Sequence, residues 1–388
     1  MEDNLDDING DITECEVKQA IRHAKSGKAA GPDKVINEIL KSSETIIPFL
    51  VKFFNTLFCK GIYPEEWSKG IIIPLFKKGD PENPGNYRGI TLLSCVSKLY
   101  AYILNTRLTK WAETNSKILE SQAGFRKTYR ATDHIFTLYA IVQKYLLQKK
   151  KLYVAFVDFQ KAFDTVNRSV LWNVLIKVGL RGKILTAIRA MYTSVLCCVR
   201  SASGYSDYFE CFQGLKQGCL ASPTLFSFLI NELAMFIISK GTHGIQLSEE
   251  AIELFLLMFA DDLSLLSYSP IGLQNQLNNL YKISGKFGLT VNLDKTKIIV
   301  FRNGGHLSKY EHWHFGQHKV EVVNSYKYLG LDLSTRLSLN ISTENLVAKA
   351  KKCVIEISRM LWRLGCSSSK IFFKLFDARV VPMLLYAS

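Results

Sequence analysis

Two adjacent aspartates, Asp261 and Asp262, stand between apolar runs at 254–259 and 263–268, and a third, Asp158, ends the apolar run Leu152 to Val157. Aspartate oxygens suit hard divalent cations, and two such ions about 4 Å apart can align a phosphoryl transfer and neutralise its growing charge. If the three carboxylates converge, their mutual repulsion raises at least one pKa, and bound cations relieve it. An adjacent aspartate pair is also a common solvated turn, so the motif by itself leaves both readings open. The apolar flanks favour a site.

The elements that must position these carboxylates follow from periodicity. Neither apolar run around Asp261-Asp262 is long enough for a helix, so the two read as a hairpin with the carboxylates at its tip. Leu152 to Val157 reads as a buried strand. Residues 71–76 form another strand, followed by Lys77-Lys78-Gly79-Asp80-Pro81 and a return at Tyr87-Arg88, which predicts a mobile hairpin with a basic tip. Helical stripes recur at Val17, Ala20 and Ile21, at Tyr100, Ile103, Leu104, Leu108 and Trp111, and at Ile135, Leu138, Tyr139, Val142 and Leu146. Further stripes lie at Val170 to Val178, ended by Gly179, at Ile184 to Met191 and at Leu273 to Tyr281, before a strand at Ile298–Phe301. Strands and helices mixed in this order predict an α+β fold with a sheet covered on one face.

The chain of 388 residues is 48% hydrophobic and 12% aromatic, enough to build real cores and to exclude a disordered chain. Its 49 basic residues against 34 acids give a formal charge of +15, although the stretch from Glu2 to Glu16 is acidic. Such an excess attracts polyanions, with nucleic acid the leading partner, an anionic membrane surface the second and simple solubility the bland alternative. Nine scattered cysteines without a Cys-x-x-Cys pair, and an N-terminus without a signal core, predict reduced thiols and an intracellular protein. The run from Leu254 to Ala260 is far short of a membrane span, and no transmembrane segment is expected. His306, His312, His314 and His318 lack a cysteine to complete a zinc set and read as a surface loop.

Taken in order, a set of blocks resembles the reverse transcriptases of non-long-terminal-repeat (LINE-type) retrotransposons. The set runs from Gly27-Lys28-Ala29-Ala30-Gly31-Pro32-Asp33 through Ile73 to Asp80 and Asn86 to Ser94 to Gln122-Ala123-Gly124-Phe125-Arg126. It continues with Asp158 to Asp164, Gln217 to Pro223, Phe259-Ala260-Asp261-Asp262, Gly288 to Lys297 and Tyr326-Lys327-Tyr328-Leu329-Gly330. The resemblance spans nearly the whole chain and implies a right-hand polymerase. Residues 1–65 would be an N-terminal extension and the start of the fingers, 66–148 the fingers, 149–333 the palm, with part of 170–215 assignable to the fingers, and 334–388 the start of a thumb.

The resemblance also implies roles. Asp158, Asp261 and Asp262 would hold two magnesium ions, with manganese as the alternative. Phe163 falls where the family places an aromatic steric gate against a ribose 2′-hydroxyl; an ordinary core phenylalanine is the lesser alternative. Lys78 and Arg88 match positions that hold the incoming triphosphate, and Lys77 stands beside Lys78, so either lysine can be solvated surface. Gln217 and Gly218 match the block along the nascent base pair, and equally a turn before the helix near Pro223. Leu220-Ala221 departs from the family's proline and leucine, which predicts a looser loop. Lys295 matches a lysine near the departing pyrophosphate, a candidate general acid; a surface salt bridge to Asp294 or Glu321 is the other reading. Asp164 reads as a turn or helix cap near Asn167. Tyr326, Tyr328, Leu329 and Gly330 resemble a primer grip.

The implied activity is RNA-directed DNA synthesis from an RNA template, a DNA primer and deoxynucleoside triphosphates. A nucleic-acid-binding remnant without activity and a maturase or telomerase-like relative are the alternatives. The chain stops inside the apolar segment Met383 to Tyr386, which predicts a truncated thumb.

Overall fold

A computed structural model describes residues 5–241, 244–246 and 253–386. The first residues of the acidic N-terminal stretch, 1–4, and the last of the expected thumb, 387–388, lie outside them. The chain divides into two compact units. One draws on the chain up to Glu120, on Gln160–Leu233 and on Ser284–Thr290; the other on Ser121–Phe159, on Ala234–Ile283 and on the chain from Val291 onward.

In the first unit the expected hairpin forms: Lys69–Phe76 pairs antiparallel with Tyr87–Leu92, from Ile71 opposite Leu92 to Phe76 opposite Tyr87. The strand Leu196–Ser201 runs parallel to Lys69–Phe76 on its other side. The expected helical stripes become the helices Glu14–His23, Cys95–Thr114, Arg168–Lys177 and Lys183–Ala190. Local chemistry sets their starts. Thr13 and Glu16 form a capping box, and Ser94 caps the helix Cys95–Thr114. Phe54, fully buried on the helix Ile47–Lys60, meets Tyr100 at 5.4 Å and Trp67 at 6.3 Å between ring centres.

The second unit holds a six-stranded sheet in the order Trp313–Phe315, His318–Val322, Lys297–Phe301, Leu152–Val157, Asp262–Ser267, Leu256–Phe259. Leu152–Val157 lies at its centre between two antiparallel partners. All six of its residues are buried, so the sheet is covered on both faces, not on one. Leu152, Val154 and Phe156 pack with Ile135, Leu138 and Ile141 of the helix Ala131–Leu147, while Tyr153, on the opposite face, meets Trp313 at 5.7 Å. An unbroken apolar run is what two-sided burial requires.

The histidine segment is also corrected. His314 and His318 belong to an antiparallel strand pair that extends the sheet, not to a loop, because Trp313 and Phe315 alternate with His314 and are buried. All nine cysteines are free thiols. Among the described residues one helix, Ser222–Ser239, is long and apolar enough to cross a membrane by length and composition, and 67% of it is buried within the protein, the pattern of a core helix.

Candidate active site

Asp158 is the first residue beyond the central strand, and a loop from the far side of the sequence fixes it. Its amide donates to Thr296 Oγ1 at 3.2 Å, its carbonyl accepts from the Asn292 amide at 2.8 Å, and Phe159 bridges to Val291. That loop also carries Lys295, whose Nζ stands 3.2 Å from Asp158 Oδ2 and 3.4 Å from Oδ1. Neither expected surface partner is used. Glu321 instead pairs with Lys297 at 2.6 Å.

The hairpin tip forms as expected: Asp262 pairs with Phe259, leaving Ala260 and Asp261 as a two-residue turn. Ala260 adopts φ +60°, the left-handed conformation that such a turn asks of its first central residue and that glycine adopts most readily. Burial pushes the Asp262 carboxyl up to about 6, with the charges of Asp261 and Asp158 adding to the rise and Lys295 opposing it. Asp262 therefore feels the charges of both other carboxylates, although burial is the larger cause of its rise.

Among the described residues, no group of three or more acidic, histidine or cysteine side chains stands close enough together to hold a metal ion. Asp158 is turned toward Lys295 instead. The donors on offer are carboxylate oxygens with partly unrelieved negative charge, a set that fits a hard divalent cation and not zinc or copper.

Beside this turn stands a second hairpin, Ser325–Tyr328 with Leu331–Ser334. Its turn residues Leu329 and Gly330 both have positive φ, +44° and +93°, the pattern of a tight two-residue hairpin. Tyr326 stacks on Phe156 at 4.5 Å, with the ring planes 11° apart. Burial, then the fields of Asp262 and Asp158, push its phenol up to about 12. Tyr328 is buried, and a small cavity of about 30 Å³ is lined by Asp262, Tyr326, Tyr328 and Leu329.

The remaining candidates belong to the first unit. Lys77, Lys78 and Arg88 are exposed on the basic hairpin. Gln217 and Gly218 dock on its return strand: the Thr91 amide donates to the Gln217 carbonyl at 3.2 Å. Gly218 has φ +108°, and a Cβ there would sit 2.6 Å from the Thr91 oxygen. Within their loop Ser222 Oγ donates to the Lys216 carbonyl at 2.8 Å, and Ala221 is buried. Phe163 stacks on Phe226 at 4.6 Å, and its carbonyl accepts from the Leu215 amide at 2.7 Å.

Asp164 lies in a turn, its amide donating to the Lys161 carbonyl at 2.8 Å, and it is not the helix cap. Asn167 caps the helix Arg168–Lys177, while Asp164 Oδ1 accepts from Gln217 Nε2 at 2.8 Å. A larger cavity of about 360 Å³, lined by Gly70, Thr91, Asp164, Cys197, Leu215 and Gln217, includes none of the three site aspartates.

Two contributors escape a reading of residue types alone. Thr296 anchors Asp158, and Gln122 reaches the Ala260 amide. Both lie in the motif blocks, which is the signal that could have found them.

The family model described as reverse transcriptase (RNA-dependent DNA polymerase) matches residues 76–333. The chain is 26% identical over 370 residues to a probable RNA-directed DNA polymerase from transposon BS of Drosophila melanogaster, covering 91% of this chain and 39% of that protein. It is 23% identical to the RNA-directed DNA polymerase from mobile element jockey of the same fly, covering 97% and 41%. It is 30% identical over 257 residues to the Pol polyprotein of the type-1 retrotransposable element R2 of Popillia japonica, covering 65% and 35%. The chain thus spans about two fifths of the length of the first of these relatives.

Proposed function

From the premise that this chain belongs to the reverse transcriptase family and resembles its LINE-type members, we propose that it is an RNA-directed DNA polymerase extending a DNA primer on an RNA template. The observation that carries this reading is the strand register: Leu263 lies opposite Val157 on neighbouring strands, so the Asp261-Asp262 turn and Asp158 leave the sheet at the same end. These three residues would hold two magnesium ions, or manganese in their place. When bound, the ions supply charge neutralisation for the attacking and leaving oxygens.

The protein's own groups do the rest. Lys295, which pairs with Asp158, would stand near the departing pyrophosphate and serve as its general acid. Arg88 offers a planar fork to the triphosphate, and Lys77 and Lys78 offer point charges. Phe163, backed by Phe226, would press against the sugar and exclude a 2′-hydroxyl. Gln217 and Gly218 would lie along the nascent base pair, and Tyr326, Tyr328, Leu329 and Gly330 would seat the primer end. In this reading the basic hairpin belongs to fingers, the six-stranded sheet to a palm, and the helices after Ser334 to the start of a thumb.

The test is primer extension on an RNA template with magnesium, comparing the wild type with Asp261→Asn. Extension by the wild type and its loss in the variant are expected. RNA binding without extension by the wild type would show a binding protein instead.

A further inference from the structure

The block Gln122-Ala123-Gly124-Phe125-Arg126 has no part in the chemistry above, yet it runs directly against the carboxylate turn. Leu256–Phe259 is the edge strand of its sheet. Ser121 to Ala123 cover that edge: the Met258 amide donates to the Ser121 carbonyl at 2.8 Å, and the Ala123 amide donates to the Met258 carbonyl at 2.9 Å. Gln122 is fully buried, and its Oε1 accepts two backbone N–H groups, from Gly124 at 2.8 Å and from Ala260 at 3.3 Å. Gly124 approaches so closely that a Cβ there would lie 2.0 Å from the Ala260 nitrogen.

The Ala260 amide needs an outside acceptor. In a two-residue hairpin the ladder bonds belong to the flanking pair, here Phe259 and Asp262, and the first turn residue's N–H has no partner inside the hairpin. Ala260 is also a non-glycine residue at φ +60°, a conformation that costs about 1 kcal/mol or more and persists only where its surroundings impose it. Gln122 supplies what is missing. Its own Nε2 has no hydrogen-bond partner among the described residues, so burial of this side chain is justified by its acceptor side.

We propose that Gln122 is a positioning residue: it holds the Ala260-Asp261 turn in its left-handed conformation and so sets the placement of the Asp261 and Asp262 carboxylates. The proposal rests on the reading of those carboxylates as the metal-binding pair. Gly124 acts with it by letting the covering segment come close enough for the side chain to reach.

Four variants test this: Gln122→Met, which removes the acceptor at similar length; Gln122→Glu, which keeps it; Ala260→Gly; and Asp262→Asn as a control. The first readout is hydrogen exchange of the Ala260 amide in metal-free protein, and the second is extension of oligo(dT) on poly(rA). In Gln122→Met the Ala260 amide should exchange about tenfold faster or more, while amides of Asp262–Ser267 keep their protection. Its kcat should fall about 10- to 100-fold with the template–primer KM within about twofold. In Gln122→Glu the Ala260 amide should stay protected as in the wild type, because burial keeps the new carboxyl neutral and its carbonyl oxygen still accepts. Adding Ala260→Gly to Gln122→Met should recover part of kcat, because glycine adopts this φ without strain.

Unchanged exchange and kcat in Gln122→Met, with Asp262→Asn inactive, would overturn the positioning role and leave the proposed function standing. Loss of protection across the whole strand Asp262–Ser267 would overturn it as well, since support would then be general rather than local. Wild-type extension by Asp262→Asn would instead sink the functional reading, and the exchange result alone would decide the role of Gln122.

Discussion

The carboxylate turn and the basic hairpin are both turns that carry charge, and they are built in opposite ways. At the first, Ala260 is only 8% exposed, and a covering segment, a buried glutamine and a close-packed glycine hold the turn from outside. At the second, residues 77–86 close on themselves. The Lys77 amide donates to the Asn86 carbonyl at 2.9 Å, Asn86 Nδ2 to the Asp80 carbonyl at 2.9 Å, and Tyr87 Oη to the Pro81 carbonyl at 2.8 Å. Leu75 and Phe76, beside the lysines, are 46% and 49% exposed.

The difference teaches where rigidity is needed. Like charges gathered under partial burial repel one another, so only external bracing keeps them in place, whereas cations in water need a scaffold that presents them and little more. Mutations in the two regions should therefore differ in kind: at the turn they should act on the chemical step, at the hairpin on nucleotide affinity.

The largest effect belongs to the turn. Asp262→Asn and Asp261→Asn should each lower kcat for RNA-templated extension by about a thousandfold or more, with little change in template–primer KM. A steady-state series measures this, and residual activity within tenfold of wild type would erase the contrast. At the hairpin, Arg88→Ala should raise the dNTP KM about 10- to 100-fold with a smaller change in kcat. Lys77→Ala and Lys78→Ala, measured in parallel, test whether either lysine contributes to dNTP affinity or stands as solvated surface. A pure kcat effect at Arg88 would place the hairpin with the chemistry instead.

Phe163→Val probes a third kind of effect, selectivity. Opening the space beside the sugar should raise ribonucleotide incorporation about 10- to 100-fold, with deoxynucleotide incorporation reduced far less. Misincorporation assays on one template read the ratio directly. An unchanged ratio would make Phe163 a core partner of Phe226 and nothing more.

Much of this was legible in the residues, and what escaped did so for a physical reason. Leu152–Val157, Asp262–Ser267 and the basic hairpin announce themselves because an apolar run must end where the chain leaves the core, and the charged residues mark that point. The three aspartates could be named for the same reason. Trp313–Phe315 could not be placed, since three residues are too few to show a period among histidines. Partner choice was equally hidden. Lys295 and Asp158 are 137 positions apart, Gln217 and Asp164 are 53 apart, and Gln122 lies 138 positions from Ala260. Side-chain pairing over such distances depends on how strands are ordered in the sheet, which residue types do not encode. The burial of the central strand was legible in its unbroken apolar run; the covering of the sheet on both faces was not drawn from it.

The smallest effect tests the contrast through stability. Asp262 titrates near 6 in the folded protein against an ordinary aspartate value of 3.8, chiefly because burial disfavours its charged form. The folded state therefore binds this proton more tightly than the unfolded state, and stability must fall as pH rises from about 4 to about 6, then level off. An ion-paired carboxylate would do the reverse. With solvent screening, the loss should amount to about 1–2 kcal/mol, or a few degrees in Tm at most for a chain of this size. Thermal melts in chelator across this pH range should show the decline in the wild type and a flatter profile in Asp262→Asn, which lacks the titrating group. Magnesium at pH 7 should then raise Tm more in the wild type than in the variant, because only the wild type has the full set of charges to relieve. No matching pH effect is expected from Lys77→Ala or Lys78→Ala, whose side chains stand in water in both states. Parallel profiles for the wild type and Asp262→Asn would mean that the turn is as well solvated as the hairpin, and the distinction between them would fall.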